Sequence, residues 1–269
     1  MTIVAVVGDA ATTSTVALAA AWPTHDEVTV LEADPAGGSL AGWLDTPAHP
    51  SLATIVANVG QVAGDDHRPV LDTFHTMSHR SAPGIRFVSN AVRARAAHRA
   101  IEEAAIVVLP AIAAAPITVI ADVGAFRSGQ SPSPALRVAD VVVVVHQQAA
   151  ASAAAASVRI ERLVEMVEEL AHLDTPIILA VVGSTPFEPA EIGAFVDESV
   201  PDTVRMTVAI ADDPLAAAAI AGRTGVSSKR LRRLPLMRDA ARLADAVCEL
   251  LDEQHSVGAV GSMIDGRST

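Results

Sequence analysis

Short runs of β-branched residues alternate along this chain with longer alanine-rich stretches, and this alternation limits most strongly how it can fold. The run at residues 138–145 is apolar at almost every position, which is typical of a strand buried on both faces. The other predicted strands are residues 3–7, 28–31, 85–88, 117–121, 177–182 and 204–210. The predicted helices are residues 13–22, 39–44, 52–62, 93–108, 149–172, 189–198, 214–221 and 236–252.

Strands that alternate with helices in this way form an open, mostly parallel sheet with helices on both faces. We therefore predict a three-layer α/β domain. The 269 residues show no break in composition, so residues 1–255 are expected to form one domain. Residues 256–269 are rich in glycine and serine, and we expect them to form a flexible C-terminal tail.

Composition and charge exclude several classes of function. Hydrophobic residues make up 51% of the chain, which excludes disorder of the whole chain, and the formal net charge is −12. Such an acidic chain fits non-specific DNA binding poorly. The basic residues cluster at one place, which is either a patch for DNA or a partner protein or a solvated connector: Lys229, Arg230, Arg232 and Arg233.

The uncharged run at residues 104–121 approaches the length of a membrane span but contains Pro110 and Pro116. We interpret it as a helix end, a turn and a buried strand. The run at residues 2–7 is too short for a signal peptide and has no basic residues before it, so we expect none, and the single cysteine, Cys248, gives no internal disulfide. We expect a cytoplasmic protein, and the glycine-rich tail is not expected to bind membranes on its own.

Ligands of such folds bind at the carboxyl ends of the strands. Acidic residues follow three predicted strands there, namely Asp9 after the first, Glu32 and Asp34 after the second, and Asp122 after residues 117–121. A phosphate-binding loop is expected between the first strand and its helix. The residues at this place are Gly8, Asp9, Ala10, Ala11, Thr12, Thr13 and Ser14.

These segments resemble the deviant-Walker P-loop family that includes the MinD and ParA partition ATPases. The segment 31–40 looks like the family's D-x-D-P-x-G-x-x-L motif, and 119–124 looks like its Walker B strand. The resemblance implies that Asp34 orients the attacking water. It further implies that Thr13, Asp34 and Asp122 surround a magnesium ion, and that residues 8–14 bind ATP or ADP.

The loop departs from the family pattern at its centre. Val7 and Thr12 stand where the family has lysines, and Asp9 and Ala11 stand where it has glycines. Each lysine would give a charge-assisted contact of about 1.5–3 kcal/mol, so losing two costs roughly 10²–10⁴ in affinity. We expect weak nucleotide binding and weak or absent hydrolysis.

The resemblance implies a homodimer that positions or scaffolds cell division, pilus or secretion, or DNA segregation machinery together with a protein partner. One alternative is an active Mg-dependent ATPase that uses Thr12, Thr13 and Ser14 with Asp34 and Asp122. In another, Asp9, Asp34 and Asp122, with Glu32, bind a hard cation or share a proton. The acids are otherwise solvated or cap helices.

Overall fold

The computed structural model describes residues 2–23, 27–60, 67–81, 84–126, 128–129, 131–149 and 152–265. The strands are β1 Thr2–Gly8, β2 Val28–Glu32, β3 His79–Arg80, β4 Arg86–Val88, β5 Thr118–Gly124, β6 Val141–Gln147, β7 Ile177–Val182 and β8 Val204–Ile210. The helices are α1 Ala11–Ala21, α2 Leu40–Trp43, α3 Leu52–Val59, α4 Arg68–Thr76, α5 Ala94–Ala113, α6 Pro134–Arg137, α7 Ala153–Ala171, α8 Pro189–Ser199, α9 Pro214–Ile220, α10 Ser228–Leu231 and α11 Pro235–Asp265.

The described strands form one eight-stranded sheet in the order β3-β4-β2-β5-β1-β6-β7-β8. All neighbours are parallel except β3 and β4. Strand β1 lies inside the sheet between β5 and β6, so the loop that follows it starts from the most enclosed part of the molecule. The predicted α/β class with a mostly parallel sheet is confirmed.

Helices cover both faces of the sheet, and β1 contributes to both halves of the core. Alternate residues such as Ile3 and Ala5 pack on one side with α3 to α8, while Val4 and Val6 pack on the other side with α1, α9 and α11. This alternation follows from the two-residue period of a strand. Because both faces are covered, β1 is apolar at every interior position.

Some element boundaries differ from the predicted ones for identifiable reasons. Strand β6 begins at Val141 and not at Val138. The residue before it, Asp140, instead accepts the Ile3 N–H of β1 with its side-chain carboxylate (2.7 Å). Helix α7 begins at Ala153 because Ser152 caps it by accepting the Ala155 N–H (3.2 Å). Strand β3 and the short helices α4, α6 and α10 were not predicted.

The last helix is longer than the predicted 236–252. Helix α11 continues to Asp265, so residues 256–265 of the predicted tail have helical backbone, and 266–269 lie outside the described residues. The division at residue 255 stays a prediction.

The uncharged run at 104–121 divides as expected into the end of α5, a turn and the start of β5. In the described part of the chain, no helix has the length and apolar character that crossing a membrane requires.

Candidate functional site

Three carboxylates meet at the carboxyl ends of β2 and β5. These strands are neighbours, and Glu32 pairs in register with Asp122. Both side chains are buried, each 1% exposed, and Asp34 lies just beyond the end of β2. Burial is the main cause that raises the pKa of Glu32 and of Asp122. Negative charges add to it, because Asp34 acts on both groups and Glu32 acts on Asp122. The sheet order therefore assembles an acidic cluster, which we define as Glu32, Asp34 and Asp122.

Glu32 is the structural member of this cluster. Its Oε1 accepts the N–H groups of Ser39 (2.5 Å) and Leu40 (2.6 Å), and its Oε2 accepts the N–H of Asn90 (2.8 Å). Burial raises the pKa of Glu32 above its usual value even though the three hydrogen bonds favour the charged form. Glu32 thus ties the segment after β2 to the segment after β4.

Asp122 is the member closest to the loop after β1. Burial raises its pKa to about 7, the charge of Glu32 adds to the rise, and a hydrogen bond from the Thr12 side chain opposes it. Its Oδ1 also accepts the Gly124 N–H at 3.1 Å. The Asp122 carboxyl group therefore keeps its proton to a higher pH than an exposed aspartate does.

Asp34 is held against the backbone of β5. Its Oδ1 accepts the Ala36 N–H at 2.7 Å, and burial raises its pKa. Gly124 has a φ of +72°, and a Cβ at this position would lie 2.3 Å from Asp34 Cγ. Only glycine therefore leaves room for the Asp34 carboxylate in its observed position.

The loop after β1 is anchored on β6. Gly8 has a φ of +128°, and a Cβ there would lie 2.0 Å from the Val145 carbonyl oxygen. The same oxygen accepts the Asp9 N–H at 3.1 Å. Helix α1 then starts at Ala11 with Ala10 at its N-cap, and no side chain caps its first turn. The first N–H groups of α1 are thus available to an anion.

Asp9 is held in an ion pair with a residue of α7. Its Oδ2 accepts a hydrogen bond from Arg159 Nη2 of α7 at 2.6 Å in an ion pair. In the described residues, no three His, Cys, Asp or Glu side chains are arranged to hold a metal ion. Asp9 is therefore engaged by Arg159, and the described residues give no support to the alternative in which Asp9 joins the other three acids around a cation.

The remaining loop residues lie between the acidic cluster and the first turns of α1. Thr12 contacts Asp122, Thr13 is half-buried in the first turn of α1, and Ser14 is buried at 5% exposure. Val7, the position of a lysine in the resembling family, is fully buried in β1. The structure thus brings together the loop, Asp34 and Asp122, with hydroxyl and carboxylate oxygens of the kind that magnesium prefers.

The basic segment lies away from this cluster. Lys229, Arg230, Arg232 and Arg233 are all exposed. Arg232 also lines a cavity of about 620 Å³ together with the end of α1 and the first residues of β2 and β4. Because parallel strands start at the edge opposite their carboxyl ends, this cavity lies at the far side of the sheet from the loop.

Comparison with solved structures identifies the fold. A ParA family ATPase from Chlorobium tepidum TLS superposes with a TM-score of 0.63 at 16% identity, over 90% of this chain and 97% of that chain. The septum site-determining protein MinD from Pyrococcus horikoshii OT3, complexed with Mg-ADP, gives a TM-score of 0.65 at 13% identity, over 93% and 97% of the two chains. The MinC:MinD cell division protein complex of Aquifex aeolicus gives 0.61 at 12% identity, over 93% and 96%.

The fold is that of the ParA and MinD ATPases. No family model and no curated protein sequence matches the chain. The ParA/MinD-like fold places the loop after β1 and the acidic cluster at the same edge of the sheet.

Two residues of this site were missed by the sequence analysis. Arg159 lies in the middle of a predicted helix, and its contact with Asp9 depends on β6 being the neighbour of β1. Gln148 follows β6, and its amide bonds the Gly183 carbonyl (2.9 Å) and both the carbonyl (2.8 Å) and N–H (3.1 Å) of Phe187. No local sequence signal marks either residue, since both contacts join segments far apart in the chain.

Proposed function

We propose that this protein is a cytoplasmic positioning or scaffolding factor with a ParA/MinD-like fold, which binds Mg·ATP or Mg·ADP weakly and hydrolyses ATP slowly or not at all. The observation that carries the proposal is the chemistry of the loop. Its two lysine positions hold a buried valine, Val7, and a threonine, Thr12, whose side chain bonds Asp122. The loop therefore supplies no cation of its own to a phosphate.

The residues present fit a weakly held nucleotide. The uncapped first turn of α1 offers N–H donors to phosphate, and Thr13 with Asp122 and Asp34 offers oxygens to magnesium. A magnesium ion supplies positive charge to a phosphoryl group in such sites. In this chain Asp34 would orient water, and the absence of both lysines leaves the transferring group poorly stabilised.

The cellular role and the assembly are proposed by analogy with the similar structures. One of them is a MinC:MinD cell division protein complex, which supports a protein partner for this chain. We propose a homodimer that works with such a partner in cell division, pilus or secretion, or DNA segregation machinery.

Phosphate release under saturating Mg·ATP tests the proposal, with the wild type compared to Asp34→Ala. We expect equal and near-background release from both proteins. Turnover by the wild type that disappears in Asp34→Ala would overturn the proposal.

That outcome would establish the second candidate, an active Mg-dependent ATPase. The observation in its favour is the meeting of Thr12, Asp34 and Asp122 at one point, with Gly124 keeping space for the Asp34 carboxylate.

A further inference from the structure

The loop after β1 has no lysine or arginine, but an arginine of α7 contacts it. Arg159 lies in the second turn of α7, the helix that follows β6, and its Nη2 is 2.6 Å from Asp9 Oδ2. Its Nη1 lies 3.5 Å from the Ala149 carbonyl oxygen, which it contacts as a donor. The guanidinium is therefore held at the end of α7 that faces the loop.

Arg159 is the positively charged side chain that contacts Asp9. The His146 side chain lies in the same region and is 4% exposed, and burial lowers its pKa, which favours the neutral ring. The Arg159 and Asp9 side chains are 31% and 47% exposed. Ion pairs this accessible to water contribute little to stability, so the pair opens at small cost.

Space for a ligand adjoins the pair. A cavity of about 640 Å³ is lined by Asp9 and Arg159 and also by Arg162, Glu165 and Ser128. Its two arginines are balanced by its two acids, so loss of the Asp9 charge leaves the cavity positive. An arginine can bind a phosphate through two parallel N–H···O bonds. This is a stronger interaction than the single, exposed contact that Arg159 makes with the Asp9 carboxylate.

We propose that Arg159 is the phosphate-binding cation of this site, and that Asp9 competes with the ligand's phosphate for its guanidinium. This rests on the proposed function, because it assigns a contact to the weakly bound nucleotide. In the free protein Arg159 pairs with Asp9. In the bound protein it exchanges that carboxylate for a phosphate group of the nucleotide, next to the N–H donors of α1.

The test is Mg·ATP binding measured by calorimetry in an Asp9→Asn background, where the competitor is removed. Asp9→Asn is expected to bind Mg·ATP about fivefold more tightly than the wild type. Adding Arg159→Ala is expected to weaken binding at least tenfold. Arg162→Ala, in the same cavity and one turn further along α7, is the matched control for losing one positive charge and is expected to change affinity less than threefold.

The outcomes separate the explanations. No gain in Asp9→Asn, or equal losses in the two arginine variants, overturns the proposal and leaves Arg159 as a structural tie or a general charge. Inorganic tripolyphosphate is a second probe, and it should show the same dependence on Arg159. A loss seen with Mg·ATP alone would place Arg159 at the nucleoside and overturn the phosphate contact.

The result is independent of the hydrolysis test. Turnover that depends on Asp34 would overturn the proposed function, while the role of Arg159 is decided by binding alone. Melting temperatures of all variants without nucleotide show whether each is folded.

Discussion

The Asp34 carboxylate occupies the space that a side chain on Gly124 would fill, since a Cβ there would lie 2.3 Å from Asp34 Cγ. We expect Gly124→Ala to turn Asp34 out of the site and to weaken Mg·ADP binding as much as Asp34→Ala does. The positive φ of +72° adds a backbone strain of about 1–2 kcal/mol. Calorimetric binding and chemical unfolding measure the two effects.

Gly84→Ala is the matched control. Gly84 also has a positive φ, +91°, but a Cβ there meets nothing within 4 Å. It should lose similar stability and keep Mg·ADP binding. Unchanged binding in Gly124→Ala would contradict the assigned position of Asp34.

The buried carboxyl group of Asp122 predicts a pH-dependent stability. Its folded pKa of about 7 lies above the unfolded value of 3.8, so the neutral form favours folding below about pH 4 and that contribution is lost as the pH rises towards 7. Asp122→Asn cannot ionise, so its free energy of unfolding does not fall in this way as the pH rises. Without nucleotide or magnesium, the variant should gain stability over the wild type between pH 5 and 8, by on the order of 4 kcal/mol at most.

Urea unfolding at several pH values measures this gain. Asp252→Asn, at an exposed position of α11, controls for the removal of one negative charge. A difference between Asp122→Asn and the wild type that stays constant from pH 5 to 8 would show that Asp122 is ionised throughout.

Loss of the Glu32 carboxylate is expected to destabilise the fold, because it accepts three backbone N–H groups. Glu32→Ala leaves the N–H groups of Ser39, Leu40 and Asn90 without their acceptor. Ser39 is exposed, but Leu40 and Asn90 are buried, and each buried unpaired donor costs about 1–3 kcal/mol. We expect a loss of about 3 kcal/mol in the free energy of unfolding. Glu103→Ala, which removes an exposed ion pair with Arg99, should cost under about 0.5 kcal/mol. Equal losses would argue against the bracing role of Glu32.

The exposed basic segment predicts a result with duplex DNA. Because the chain carries a net charge of −12, we expect the triple variant of Arg230, Arg232 and Arg233 to alanine to leave low-salt DNA binding unaltered. Fluorescence anisotropy at several salt concentrations measures this. Binding by the wild type that the variant loses, with a smaller salt dependence, would establish a DNA-binding patch instead.

The sequence predicted the fold well because its signals are local. The uninterrupted apolar run that became β6 and the alanine-rich helices follow from periodicity alone, and the strand ends located Asp34 and Asp122. Helix α4 was missed because its amphipathic pattern spans only nine residues, Arg68–Thr76.

The site was predicted less completely because its contacts are not local. The pairing of Asp9 with Arg159 joins residues that are 150 positions apart. Whether α7 or another helix lies beside the loop depends on the order of strands in the sheet, which no residue spacing reveals. The sequence therefore suggested a solvated or metal-binding Asp9, where the structure shows an ion pair.

Strand β1 lies inside the sheet, whereas the candidate site begins in the loop after it. Residues 9–12 lie in the loop after β1 and the first turn of α1, outside the strands, so substitutions of their side chains leave the strand pairing of the sheet in place. Variants at these positions can therefore be compared with one another on the same eight-stranded sheet.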